Sequence, residues 1–313
     1  MKRYITRRLL LLIPTLLLVS FLVFCIVRII PGDAVTLMVA EMGFADDEAE
    51  LRAVLGLDQS LPRQYLNYMA NAVRGDLGTS LWSGQPVLEE ITRRLPLTFR
   101  LALMALFWTL LTGVPLGVIS ALKQDTWLDY LLRSVSVGGL SVPSFWLATL
   151  LVVFGAIWFR WVPPIDFIPF REDPLASLGQ LVVPSLVLSV ALSASIMRMT
   201  RTMMLEVMRE DYIRTARAKG LNEWVVVVRH ALANSLIPVM SIMGIQLAFL
   251  VGGTVIMESI FVLPGMGKYL LDAITWRDYP VIQGINLFIC TLIICINLVI
   301  DLLYGVLDPR IRY

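Results

Sequence analysis

The chain has 313 residues, 58% of them hydrophobic, and its 26 Lys and Arg against 24 Asp and Glu leave a formal charge of only +2. Those charges are missing from long stretches, whereas buried helices of a soluble protein carry a charged face at helical spacing, so a water-soluble globular domain is excluded. With one histidine and three cysteines (Cys25, Cys290 and Cys295, all inside apolar runs) there is no spaced Cys/His set for zinc or haem.

Six runs lack Asp, Glu, Lys and Arg over at least nineteen positions: Leu9–Val27, Leu101–Leu122, Ser134–Phe159, Pro174–Met197, His230–Met257 and Tyr279–Ile300. About 20 apolar residues cross a bilayer core of roughly 30 Å, so the expectation is an all-α polytopic protein with six transmembrane helices. Lys2, Arg3, Arg7 and Arg8 precede the first run as in a secretory signal. That run exceeds a usual signal core and no small-residue cleavage site follows in Arg28–Asp33, so a retained helix over 9–30 is predicted. Residues 31–97 then form an external helical loop, with helix-like stretches at Asp46–Leu55, Pro62–Val73 and Pro86–Arg94 parted by turn signals at Gly56, Gly75–Gly78 and Ser83–Gly84. A loop of this size is too small for an independent core.

Residues 98–307 form the membrane core. Gly113, Pro115, Pro143, Pro184, Gly252 and Gly253 interrupt its runs, which membrane helices tolerate when neighbours satisfy the freed backbone groups; a bundle follows. Ser189, Ser193, Gln246, Asn286 and Asn297 are the polar groups within spans. They are candidates for a solute passage, set against the plainer reading of interhelical hydrogen bonds worth about 1 kcal/mol each. A second external patch, 258–280, holds Phe261, Pro264, Gly265, Gly267, Trp276 and Tyr279 and is expected to form short helices at the interface. Lys268 after two glycines invites comparison with a phosphate-binding loop, but Tyr269 stands where Ser or Thr must ligate magnesium and Val262 where the first glycine belongs. No nucleotide site and no serine–histidine–acid set are found.

Orientation follows from Lys and Arg. With a cytosolic N-terminus, tail 1–8, the segments around Lys123 and Arg133, the stretch Arg198–Arg229, Asp301 and tail 308–313 place fifteen basic and eight acidic residues inside, leaving eleven basic and sixteen acidic outside. Both termini are predicted to be cytosolic. The inner loop 201–234 keeps an apolar side in Tyr212, Ile213, Ala216, Leu221, Trp224 and Val228, and Gly220 offers a break between two short helices. A basic helix resting on anionic lipid and a docking element for a soluble partner fit this composition equally. His230, at the membrane boundary, reads as structural.

Spacing separates the two. Arg214, Thr215 and Ala216 lie three residues before Gly220, and Leu232 follows after eleven spacers. This resembles the cytoplasmic loop motif of bacterial ATP-binding-cassette importer permeases, with Arg214, Thr215, His230 and Ala233 departing from its general form and RTARAKGL matching its dipeptide and oligopeptide branch. The resemblance continues in RRLLLLIPTLL, PGD at Pro31–Asp33, LGLDQSLPRQY at Leu55–Tyr65, GDLGTS at Gly75–Ser80, SVPSFW at Ser141–Trp146, ESIFVLPGMGKYLLDAI at Glu258–Ile274, RDYPVIQG at Arg277–Gly284 and DPRIRY at the end. It implies a type I importer permease fold, the first of two related permeases, dipeptide- and glutathione-type permeases being nearest. Implied partners are a second permease, two cytosolic ATPases carrying ATP and magnesium, and an external substrate-binding protein; no nucleic acid and no cofactor on this chain are implied. Cargo would be di- or oligopeptides, with glutathione, nickel chelates or oligosaccharides as alternatives within the family, in a bacterial inner membrane. An ion-coupled carrier would show ionisable residues deep in the spans, and the runs hold no acid or base apart from His230 at a boundary. By the same resemblance Arg209, Glu210, Asp211, Tyr212, Arg214, Thr215, Ala216, Arg217, Ala218, Lys219, Gly220 and Leu221 contact an ATPase. Asp46, Asp76, Glu258 and Trp276 are the external docking candidates.

Overall fold

The structure, a computed structural model, describes residues 2–29, 35–36, 52 and 56–307. Among these the chain is helical, and the one bridge of β type pairs Thr79 with Pro86. The elements are α1 (Lys2–Ile29), α2 (Leu61–Val73), α3 (Val87–Leu122), α4 (Trp127–Ser141), α5 (Ser144–Phe159), α6 (Pro174–Val207), α7 (Asp211–Ala218), α8 (Glu223–Val225), a π-helical segment (Val226–Leu232), α9 (Ala233–Gly253), α10 (Val255–Ile260), α11 (Met266–Thr275) and α12 (Tyr279–Leu307). The stretch Asp46–Leu55, apart from Arg52, lies outside the described residues, and with it Asp46.

Four described helices, within α1, α3, α6 and α12, are long and apolar enough to cross a membrane alone. The other two expected spans are bent pairs: α4 and α5 meet at 92°, and Glu223–Leu236 meets Pro238–Gly252 at 50°. The run Ser134–Phe159 is therefore not the single rod expected. Pro143 has no N–H for the Gly139 carbonyl and pushes Val142 out of the helical region, to φ −89° and ψ 119°, so the helix stops and restarts at Ser144. Pro86–Arg94 is also revised: it opens the continuous 36-residue α3. Glu89 and Glu90 suit the helix N-terminus, and Glu90 pairs with Arg93 at 2.6 Å and Arg94 at 3.0 Å, which carries the helix through the polar stretch.

The chain divides into two compact units, Met1–Thr98 with Pro264–Cys295, and Phe99–Leu263 with Ile296–Arg312. In the first, Val87, Ile91, Met266, Leu270, Val281 and Ile285 form the core. Helix α2 is tied to α1 there by Arg28, whose Nε and Nη2 donate to Gln64 Oε1 at 3.1 and 2.7 Å, and by Tyr65, bonded to Ser20 at 2.9 Å. In the second, α3 and α6 touch backbone to backbone. A Cβ on Gly113 would sit 2.9 Å from the Ser193 carbonyl oxygen, and one on Gly117 2.7 Å from that of Met197. Small residues that admit this approach drive helix pairing where lipid removes the hydrophobic advantage.

Candidate functional site

Residues 208–232 leave α6 through a tight turn, in which the Arg209 and Glu210 N–H groups donate to Glu206 and Val207 carbonyls, and enter α7. One face of α7 is buried. Ile213, fully inaccessible, and Ala216 pack with Ala121 of α3, Met204 of α6 and Val226, Val227 and Ala231 of the π segment. Helix α7 ends in a left-handed cap: Gly220 has φ +75°, its N–H donates to Arg217 O at 2.9 Å and that of Leu221 to Ala216 O at 3.4 Å. A Cβ at Gly220 would meet nothing within 4 Å, so within this chain the glycine serves the turn and not a close approach. Asn222 then caps the next helix, its Oδ1 accepting from Trp224 N–H at 2.9 Å, and Arg217 forks Glu223 across the turn with bonds of 3.1 and 2.6 Å.

The apolar side expected of this loop is two sides. Ile213 and Ala216 face inward, whereas Leu221, Val228 and Trp224, the last 72% exposed, face outward beside Asp211, Arg214, Thr215, Ala218 and Lys219. Tyr212 is partly covered, its hydroxyl donating to His230 O at 3.4 Å and accepting from Asn234 Nδ2 at 3.1 Å, so His230 takes part in structure through its carbonyl. Between α6 and α7 lies a charged groove of about 610 Å³ lined by Arg201, Glu206, Arg209, Glu210, Asp211 and Arg214 among others. Trp224 and Val228 were expected on one apolar side with Ile213 and Ala216; a single helical side cannot hold both the buried and the exposed set, and the π segment, which widens the turn after Trp224, is what parts them.

The two loops of the first unit form a different site. Asp278, nearly inaccessible, accepts from Ser80 Oγ at 2.6 Å and from Leu81 N–H at 3.1 Å through Oδ2, and Ser80 Oγ in turn accepts from Trp82 and Ser83 N–H. Burial raises the Asp278 carboxyl above its ordinary range, against the lowering pull of bonds from Ser80, Leu81, Val281 and Trp82. Burial likewise raises Tyr269, beside Asp278 and Glu90. Trp276 and Trp82 pack with centroids 4.9 Å apart and ring planes tilted by 53°, and Trp82 Nε1 donates to Trp276 O at 2.8 Å. Trp276 is 43% exposed and Asp76 is exposed, its Oδ1 accepting from Gly78 N–H at 2.8 Å. Glu258, in the other unit, is a correction: it is wholly buried and its Oε1 accepts from Thr254 Oγ1 at 2.9 Å, so its side chain is not part of an exposed docking surface.

The polar groups within spans divide between bonds in their own helix and a bond between helices. Ser189 Oγ donates to Leu186 O, Asn286 Nδ2 to Ile282 O, and Ser193 Oγ accepts from Thr112 at 2.8 Å. Gln246 is buried with Oε1 lacking a hydrogen-bond partner, and Asn297 is half-buried.

Residues 113–313 match the model of the binding-protein-dependent transport system inner membrane component family, and residues 1–102 match its N-terminal companion. The chain belongs to that family, as a membrane permease component with the all-helical fold of the importers. It is 41% identical over 301 residues to a putative peptide transport system permease protein of Brucella abortus (strain 2308), covering 96% of both chains. It is 41% identical to the glutathione transport system permease protein GsiC of Escherichia coli O6:H1 over the full length of both, and 39% identical to the dipeptide transport system permease protein DppB of Escherichia coli K12, covering 100% of this chain and 99% of the other. A chain in a structure of the MetNI methionine ABC transporter in inward-facing conformations shares the fold, with a TM-score of 0.54 and 17% identity over 70% of this chain and 96% of the other.

Proposed function

We propose that this chain is one of two permease subunits of an ATP-driven importer that takes di- or oligopeptides, or a related solute such as glutathione, from an external binding protein. The observation that carries the reading is the segment from α7 to the π turn: anchored by Ile213 and Ala216, it turns Asp211 and Arg214 of α7, and Leu221, Trp224 and Val228 beyond it, outward as a compact contact surface. Two ATPase chains carrying ATP and magnesium would receive this surface on the cytosolic side, with both termini on that side of a bacterial inner membrane. The first unit's loops, with Trp82 and Trp276, would face the binding protein. ATP binding shifts the pair of permeases between inward- and outward-open arrangements through its different affinity for the two. Apart from His230 at the boundary, the six runs hold no acidic or basic side chain, so the passage is permissive and cargo choice belongs chiefly to the binding protein.

A cysteine at Arg214, in a chain with Cys25, Cys290 and Cys295 replaced by alanine, tests the docking. It should cross-link to an ATPase subunit in the assembled complex, with a yield that changes on adding ATP. Absence of any such product, with the complex intact, would refute the assignment.

A further inference from the structure

The Asp129 carboxylate is inaccessible, and four donors converge on it. Arg201 Nε donates to Oδ1 at 2.8 Å and Arg201 Nη2 to Oδ2 at 2.7 Å, while Ser120 Oγ donates to Oδ1 at 2.5 Å and Asp125 N–H to Oδ2 at 3.1 Å. Asp129 stands in the first turn of α4 and Arg201 near the end of α6. The same Arg201 lines the groove against α7, with Arg209, Asp211 and Arg214. One guanidinium thus connects the α7 surface to the base of α4.

A buried ion pair is a poor device for stability, since apolar residues of like volume often serve as well. What it supplies is a fixed register between two helices. Here α4 needs one. Helix α3 is locked to α6 by the sub-van-der-Waals space at Gly113 and Gly117, but a Cβ at Gly138 of α4 would meet nothing within 4 Å, and one at Gly139 would make only ordinary contacts with Val190 and Ala194 of α6. Fifteen residues after it begins, α4 breaks at Val142–Pro143, the middle of the SVPSFW motif.

We infer that Asp129 and Arg201 are positioning residues that yoke α4 to α6, so that when an ATPase displaces the α7 end of α6, α4 moves with it and the bend at Val142–Pro143 takes up the difference. The inference rests on the docking reading above. It identifies a physical element that both the ATPase and the passage bias, which coupling between distant sites requires.

The test uses the reconstituted complex with its binding protein. Asp129→Asn keeps the size of the side chain and removes its charge. Transport should fall about tenfold, while the Arg214→Cys cross-link still forms and ATP hydrolysis continues. A disulfide through Gly139→Cys and Ala194→Cys ties the same two helices: the added Cβ lies 3.7 Å from that of Ala194, close to the usual ~3.8 Å of a disulfide. Formed in the Asp129→Asn chain, it should restore transport, and reduction should abolish the rescue. Arg201→Lys, which keeps charge but loses the fork, should lower transport and be rescued in the same way. Unchanged transport in Asp129→Asn, failure of the disulfide to restore it, or disappearance of the variant chain from the membrane would each overturn the yoke, the last by assigning the pair to folding. A missing Arg214→Cys cross-link with Asp129 in place would instead sink the docking reading beneath it.

Discussion

The loop after α6 and the loop assembly around Asp278 are both short, polar and set between spans, yet they are built in opposite senses. The first buries Ile213 and Ala216 and turns its charges outward; the second buries Asp278 and Glu90 and turns Trp82 and Trp276 outward. Apolar anchoring is indifferent to direction, so it lets α7 bear a load while its charged surface stays free for a partner. A carboxylate held by Ser80 and Leu81 is directional and fixes the shape of the loops themselves. On the proposed docking, the first segment would be pushed and the second would hold still.

The sharpest way to break this contrast is to attack the two faces of the first loop separately. Ile213→Ala should cost about 3 kcal/mol, seen as a lower unfolding temperature of the detergent-purified chain. Trp224→Ala should leave that temperature nearly unchanged yet weaken ATPase association by about 2 kcal/mol in a binding assay. Equal effects on both measurements would mean the faces are not distinct.

Gly220 gives a smaller and more diagnostic effect. Because a Cβ there meets nothing and only φ is strained, Gly220→Ala and Gly220→Leu should each destabilise the free chain by about 1 kcal/mol. In the assembled complex a partner lying against this turn would make the leucine variant much worse than the alanine one, readable as loss of co-purified ATPase. Similar yields of the two variants would place the partner away from the turn.

The mildest probe concerns the second region. A carboxyl whose folded pKa is raised binds protons more readily in the folded state, so it weakens that state as pH rises from the ordinary carboxylate value through the raised one. Protease resistance of the 75–84 loop should therefore decline modestly across that window on going toward neutrality. Asp278→Asn should flatten the dependence, and an unaltered pH profile in that variant would show that other groups cause it.

Much of this architecture was legible because membrane spans write themselves as charge-free runs, and all six runs became helices or bent helix pairs. What escaped was decided by partners distant in sequence. Pro143 breaks its helix while Pro184 sits inside continuous α6, and both occur in apolar runs that look alike in one dimension. Asp129 and Arg201, 72 positions apart, were two entries in a charge tally, with no local pattern joining them. Glu258 was placed outside by its position beside a span, but a bond to Thr254 one turn away turns it inward. Turn chemistry was more readable: Gly56, Gly75, Gly78, Gly84 and Gly220 all take positive φ where breaks were expected.

The wide turn at Val226–Leu232 bears on how the gene can change in length. A π-helical ring encloses one residue more than an α-helical ring, so this segment carries surplus chain. Losing one residue there would close the ring to ordinary spacing with the helices on either side still in phase. A deletion of the same size a few residues later, inside α9, would turn every following side chain by about 100° and carry its lipid-facing residues into the bundle. A one-residue deletion should therefore be tolerated better within these seven residues than inside α9.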